Sequence, residues 1–245
     1  MNTQTRQAVP PPSSSSELSS LAARISRGAI VTYQVLLFAL ILLRPELDPS
    51  WHMVSEWALG RLGWLMSIAF VVSASSYASL FVLLKSHAKG WQGRLGLVLL
   101  LICVVGTTGV GLCTMDPPET RALSLVGTLH VVFGASALAL LPFAALFLNL
   151  SLALKNEAWA PARKVLLWTA ALPLFGFAGF AAYTAIFVAP LGEGAYGPGV
   201  HLGWPPRIAL LTYMVWIVIL TTQALRIHRG ARPVALPGLN TARAV

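Results

Sequence analysis

Charge is scarce in this chain, and acid scarcest of all: 10% of the 245 residues are charged and only eight are Asp or Glu. A soluble domain of this length needs more polar surface than that. With 56% hydrophobic residues and a mean hydropathy of +0.73, the chain is not an ordinary soluble globular domain. Cysteine is nearly missing too. Cys103 and Cys113 fall on one apolar run, about 15 Å apart along a helix axis, well beyond the roughly 7 Å Cα separation that a disulfide tolerates. Neither belongs to a CxxC pair, so a thiolate metal site finds no motif. No GxSxG, HExxH or Walker sequence occurs. The apolar/polar alternation of barrel strands is also lacking.

What the sequence does hold is six long apolar runs: Gly28–Leu43, Leu62–Leu84, Leu95–Cys113, Leu125–Leu148, Val165–Ala189 and Ile208–Leu225. A helix rising about 1.5 Å per residue needs about 20 residues to cross a hydrocarbon core about 30 Å thick. The first run is short, and Arg27 and Arg44 stand where they could snorkel outward from its ends. The reading is an all-α polytopic membrane protein, a bundle of six transmembrane helices.

The net charge of +9 invites a nucleic-acid reading, but its distribution argues against one. Thirteen of the 17 basic residues fall in the two terminal segments and the connections between spans two and three and between spans four and five. The other connections carry Arg44, Arg61, Arg121 and Arg207 against Glu46, Asp48, Glu56, Asp116, Glu119 and Glu193. Short loops rich in Lys and Arg stay cytoplasmic, so both termini are expected there, in a multi-pass protein of the inner (plasma) membrane. The basic face then meets anionic membrane lipid, with nucleic acid excluded as a partner. No oligomeric state is legible.

Residues 1–21 combine three prolines with a serine run and read as a disordered tail, and residues 229–245 read likewise. Between them, residues 22–228 form one membrane domain. The stretch "SSELSSLAARISRG" spaces Leu18, Leu21 and Ile25 as a short amphipathic lead-in on the inner membrane surface. A cleaved signal peptide is disfavoured, because "LILLRPELDP" offers no small-residue cleavage site. No internal repeat relates the halves, so an inverted-repeat transporter gains no support. Glycines in spans three to five suit close helix packing, and Pro142 and Pro173 are expected to kink spans four and five.

Chemistry-bearing residues gather on the extracytoplasmic side, in "RPELDPSWHMVSEWALGR", "CTMDPPETRALSLVGTLH" and "PLGEGAYGPGVHLGWPPR". His130 lies about five residues inside span four, where a polar side chain should face the bundle interior and find a partner. It reads as a cross-span structural hydrogen bond or as a ligand, metal or proton site. Asp116 precedes Pro117 and Pro118 and reads as a turn residue or a functional acid. Ser55 and Glu56 share a helical face with His52, suiting a helix start or a small polar site. Arg207 opens span six after "GWPP" and is placed to pair with Glu56 or Asp116 or to hold a lipid phosphate. Trp51, Trp57, Trp64 and Trp204 read as an interfacial belt.

Ser55, His130 and Asp116 are the residue types of a Ser–His–Asp arrangement and stand as catalytic candidates. His52, His130 and His201 are candidate metal ligands, none of them compelling. Haem ligation is disfavoured, since only His130 sits within a span, and no cofactor is implied.

The segments "HMVSEWALGRLGWLMSIAF", "GLCTMDPPETRALSLVGTLHVVFGA" and "GWPPRIALLTYMVW" resemble the bacterial six-span proteins grouped as domain of unknown function 998. That family's pattern has a SELALG-like segment after span one, Asp–Pro ending span three, a histidine early in span four and an arginine opening span six. The matching positions are Ser55, Glu56, Asp116, His130 and Arg207. Pro205 and Pro206 depart from it, standing where a more helix-compatible pair is expected. A looser similarity runs to eukaryotic six-span families of the Frag1/DRAM/Sfk1 type, associated with lipid handling and autophagy. The resemblance implies the six-span fold and the choice of residues, and supplies no reaction.

Three function classes follow. The first is a non-enzymatic protein binding a lipid or small apolar molecule through an outward polar cluster of Ser55, Glu56, Asp116, His130 and Arg207. The second is a membrane-embedded hydrolase, with or without a metal. The third is a small-molecule transporter or proton-coupled carrier, its proton coupling weakened by the lack of ionisable groups in the lower halves of the spans.

Overall fold

The structure, a computed structural model, describes residues 14–120, 122–192 and 195–230. It comprises helices α1 (Ser14–Leu43), α2 (Gly63–Leu84), α3 (Gly90–Leu112), α4 (Leu125–Lys155), α5 (Arg163–Thr169), α6 (Ala171–Tyr183) and α7 (Trp204–Gly230), with no strand among the described residues. Six stretches are long and apolar enough to cross a membrane, the fifth being Glu157–Leu191, which contains α5 and α6. The protein is thus an integral membrane protein built as a helical bundle. Its helices neighbour one another in chain order, and α7 returns to pack on α1, so the spans close into a ring.

The acid-bearing connections between spans one and two, three and four, and five and six lie at one end of this ring, the acidic end. The start of α1, the end of α7 and the two basic connections lie at the opposite, basic end.

The first helix starts earlier than its apolar run implies. α1 is continuous from Ser14, so residues 14–21 are helical rather than a tail, and the lead-in is the first part of the span helix. The reason is tertiary: Ala22, Ala23 and Ser26 are buried, and Ser76 Oγ of α2 donates to the Ser26 carbonyl at 2.8 Å. α7 likewise runs to Gly230. The remaining parts of the expected tails, 1–13 and 231–245, lie outside the described residues.

α3 and α4 make the most extensive pairing. A Cβ at Gly96 would run into Leu148, and one at Gly109 into the Phe133 ring. Hydrogen at these positions lets the backbones approach closely where lipid gives no hydrophobic drive to associate. Span five is interrupted at Ala170, between α5 and α6, and Pro173 falls in the first turn of α6, where its missing N–H is not needed. Pro142 is buried within α4, and that helix continues unbroken from Leu125 to Lys155.

The basic half of the bundle holds buried polar side chains that bond from one element to another, although Trp159 Nε1 and Gln92 Oε1 are sealed there without a partner among the described residues. Asn149 is fully buried; its Nδ2 donates to the Leu166 carbonyl at 2.8 Å, and its Oδ1 accepts from Trp216 Nε1 at 3.2 Å. Ser151 Oγ donates to the Lys89 carbonyl and accepts from the Lys89 N–H, both at 2.7 Å, fixing α4 to the start of α3. Asn156 Nδ2 donates to the His87 carbonyl at 2.9 Å, and the His87 ring packs edge-on against the buried Trp159. Burial here, with His228 and Lys89 as neighbouring positive groups, lowers the His87 pKa from its ordinary value.

Candidate functional site

The first acidic-end connection folds back on α1. Arg44 does not snorkel outward. It is 6% exposed, donating through Nη1 to the carbonyls of Trp57 and Leu59 and through Nε to Glu46 at 2.8 Å. That bond holds the Glu46 carboxyl below its usual range. Residues Val54–Ala58 wind into a 3₁₀ turn, and Glu56 Oε1 accepts from the Met53 N–H at 2.6 Å, satisfying a donor at the turn's start. The exit toward α2 is tight: Gly60 has φ 68° and Leu62 φ 62°, and a Cβ at Gly63 would strike the Ala58 carbonyl. A leucine in the left-handed region is unfavourable, so packing around the turn must hold it there.

Trp57 is the plug of this fold-back. It is completely buried rather than part of an interfacial belt, with Nε1 donating to the Leu40 carbonyl at 3.2 Å. Trp64 and Trp204, by contrast, are exposed. The Arg207 guanidinium lies over the Trp57 ring, 4.3 Å from its centroid, a cation–π geometry. Arg207 Nη1 also donates to the carbonyls of Gly203 (2.6 Å), His52 (2.9 Å) and Pro49 (3.3 Å). Gly203 N–H donates to the Ser50 carbonyl at 3.0 Å, and only glycine fits there, because a Cβ would meet Pro49. Pro205 and Pro206 occupy the first turn of α7, where proline is tolerated. The motif "GWPPR" therefore pins the start of span six to the connection between spans one and two.

Glu56 makes a second pin. It is 3% exposed, and Oε2 accepts from the Tyr196 hydroxyl at 2.5 Å while lying 3.9 Å from His52 Nε2. Partial burial, the hydrogen bond and the Glu56 charge together raise the Tyr196 pKa above its ordinary value. The Trp51 and His52 rings stand 3.5 Å apart and Tyr196 packs edge-on to Trp51. No ion pair joins Arg207 to Glu56 or Asp116 among the described residues.

Behind these pins lies a cavity of about 360 Å³ in the acidic half of the ring. Every helix but α5 contributes to its wall, together with the 53–55 segment and Met115. The wall is mainly apolar, as with Phe70, Val110 and Leu138, and its polar groups are the side chains of Tyr33, Ser55, Ser73, Tyr77, Thr107, His130 and Tyr213. Among the described residues, no Asp, Glu, Lys or Arg lines it. Val131, half exposed, and exposed Ala135 both line it, so on the α4 side the wall is one side chain thick.

His130 is the most defined polar group in the wall. It is 5% exposed, and Nδ1 lies 2.6 Å from the Cys113 carbonyl at the end of α3. A carbonyl only accepts, so Nδ1 carries a proton and a neutral ring offers Nε2 as an acceptor. Asp116 has a different task. Its two carboxylate oxygens accept from Ser124 N–H (2.7 Å) and Ser124 Oγ (2.8 Å), while Ser124 caps α4 by accepting from Gly127 N–H at 3.0 Å. A Cβ at Gly127 would collide with the Asp116 carboxylate, so a larger residue there would have to displace that brace.

The sequence candidates thus separate. Ser55 and His130 line one cavity, whereas Glu56 and Arg207 bind connections together and Asp116 braces a helix start. His130 Nδ1 is oriented by a backbone carbonyl rather than by Asp116. His52 is buried with Nδ1 3.0 Å from the Asp48 carbonyl, and His201 is exposed. Among the described residues no three His, Cys, Asp or Glu side chains stand close enough to hold a metal. Residues missed in the sequence are Tyr33, Ser73, Tyr77, Thr107 and Tyr213; their signal was polar groups inside apolar spans, which a search for ionisable groups passes over.

The family model described as "Protein of unknown function (DUF998)" matches residues 28–223. No curated protein and no solved structure matches the chain. The chain belongs to the DUF998 family.

Proposed function

We propose that this DUF998 protein binds a lipid or small apolar molecule in the cavity of its acidic half, and that this half faces the extracytoplasmic side of the plasma membrane. The cavity itself carries the reading. Its volume of about 360 Å³ falls within the roughly 300–1,000 Å³ typical of small-molecule sites, and a mainly apolar wall with a few convergent polar groups is the usual makeup of such sites. The concentration of Lys and Arg at the basic end supports cytoplasmic termini. In this reading Ser55 and His130 meet the polar part of the molecule. Glu56, Asp116 and Arg207 hold the connections that close the cavity, and the thin wall at Val131 and Ala135 offers a route from the bilayer. Mass spectrometry of protein purified in mild detergent tests it. Wild type should retain a bound molecule, and Gly134→Leu, which narrows the cavity, should retain less of it. Equal spectra with nothing retained by either would sink the reading.

One observation favours a second reading. Ser55 and His130 share the cavity, as a nucleophile and base would. Covalent labelling by a fluorophosphonate that is lost in Ser55→Ala would establish a hydrolase, and unlabelled wild-type protein would dismiss it.

A further inference from the structure

We infer that the molecule held in this cavity is an uncharged amphiphile whose polar end is a hydrogen-bond donor, such as a hydroxyl, accepted by His130 Nε2. The inference rests on the binding reading above and narrows its chemical class.

Charge is decided by what the wall lacks. Among the described residues none that lines the cavity is Asp, Glu, Lys or Arg, and moving an ion into such surroundings costs several kcal/mol unless a partner offsets it. Arg207 follows the lining residue Pro206 but is not itself part of the wall. Its Nη1 is taken by three backbone carbonyls and its face by Trp57. Its Nε and Nη2 are sealed from solvent with no hydrogen-bond partner among the described residues, so a headgroup in the cavity does not reach them without opening the connection between spans one and two.

Donor character is decided by His130. Serine, threonine and tyrosine hydroxyls adapt, since each both donates and accepts. The Tyr213 hydroxyl is already committed, donating to the Leu138 carbonyl at 2.7 Å. His130 does not adapt in this way. With Nδ1 donating to Cys113, the neutral ring presents a lone pair at Nε2, so a ligand lacking a donor leaves that acceptor unpaired in a desolvated site. An alcohol satisfies it; an ether or a carboxylate does not.

The test uses the full chain in detergent and three probes of equal chain length: a straight-chain primary alcohol, its methyl ether, and the corresponding carboxylate at mildly alkaline pH. Affinities are read by displacement of a fluorescent fatty alcohol. The alcohol should bind about five- to tenfold more tightly than the ether, the range a net neutral hydrogen bond supports. His130→Phe should remove that gap, with ether affinity rising toward that of the alcohol because no acceptor is left unpaired, and His130→Leu is the alternative if the larger ring misfolds. In histidine-labelled protein the Nε2 nitrogen-15 resonance should move on adding alcohol and not on adding ether. Equal affinity for alcohol and ether overturns the inference, as does tightest binding of the carboxylate, which would point to an anionic headgroup reaching Arg207. A gap that survives both His130 variants overturns it too. If no probe binds and purified protein retains nothing, the binding reading falls as well, a result distinct from binding with the wrong selectivity.

Discussion

The two halves of the bundle use buried polar groups in opposite ways. In the basic half, Asn149 sits fully buried with donor and acceptor both engaged across three helices, and Ser151 and Asn156 tie the start of α3 and the His87 carbonyl to α4. In the acidic half the pins lie at the rim, where Glu56, Arg207 and Asp116 join the connections, while the interior behind them stays open and lined with hydroxyls and His130. A buried polar group whose partners are all protein rigidifies. One that faces a void is available to a ligand.

The contrast can be broken most severely at the α3–α4 seam. Gly96→Val drives a side chain into Leu148, including its backbone nitrogen, so overpacking should cost about 2–3 kcal/mol and produce the largest drop in melting midpoint in detergent. Asn149→Ala comes next. It strips partners from Trp216 Nε1 and the Leu166 carbonyl, and thermal denaturation should show a loss of about 1–2 kcal/mol.

A milder probe of the packed half is pH. Burial lowers the His87 pKa in the folded protein, so between the folded value and the unfolded value of about 6.5 the unfolded chain binds more protons. Stability is therefore full above about pH 6.5 and is lost as pH falls toward the folded pKa. Melting midpoints at mildly alkaline and mildly acidic pH should diverge in wild type and converge in His87→Gln; parallel behaviour would remove His87 from the account. The smallest stability effect belongs to the open half. A Cβ at Gly134 meets only Val110 Cγ2, at 3.5 Å, so Gly134→Leu should change stability by less than about 1 kcal/mol while narrowing the cavity. A large loss would show that the void is smaller than its walls suggest.

Much of the fold is legible in the sequence, for identifiable reasons. Apolar runs report spans because a bilayer demands length and hydrophobicity from each helix independently. α2 and the start of α4 at Leu125 accordingly fall close to where the runs place them. The motif residues stand out as well, yet their tasks do not. Arg207 could as easily have met Glu56 as the carbonyls of Pro49, His52 and Gly203, since any of these partners fits a guanidinium. Trp57 reads as an interfacial tryptophan until the 3₁₀ turn carries it inward beneath Arg207.

By itself the sequence determined the six-helix membrane architecture, the uneven distribution of charge between the two ends, and the short set of polar residues around which the acidic end is built. These follow from composition and from periodicity along one segment at a time. Only the tertiary structure decided that Ser55 and His130 share a cavity while Glu56, Asp116 and Arg207 brace its surroundings. Hydrogen bonds act over about 3 Å, and which groups come that close depends on how helices distant in the chain close into a ring.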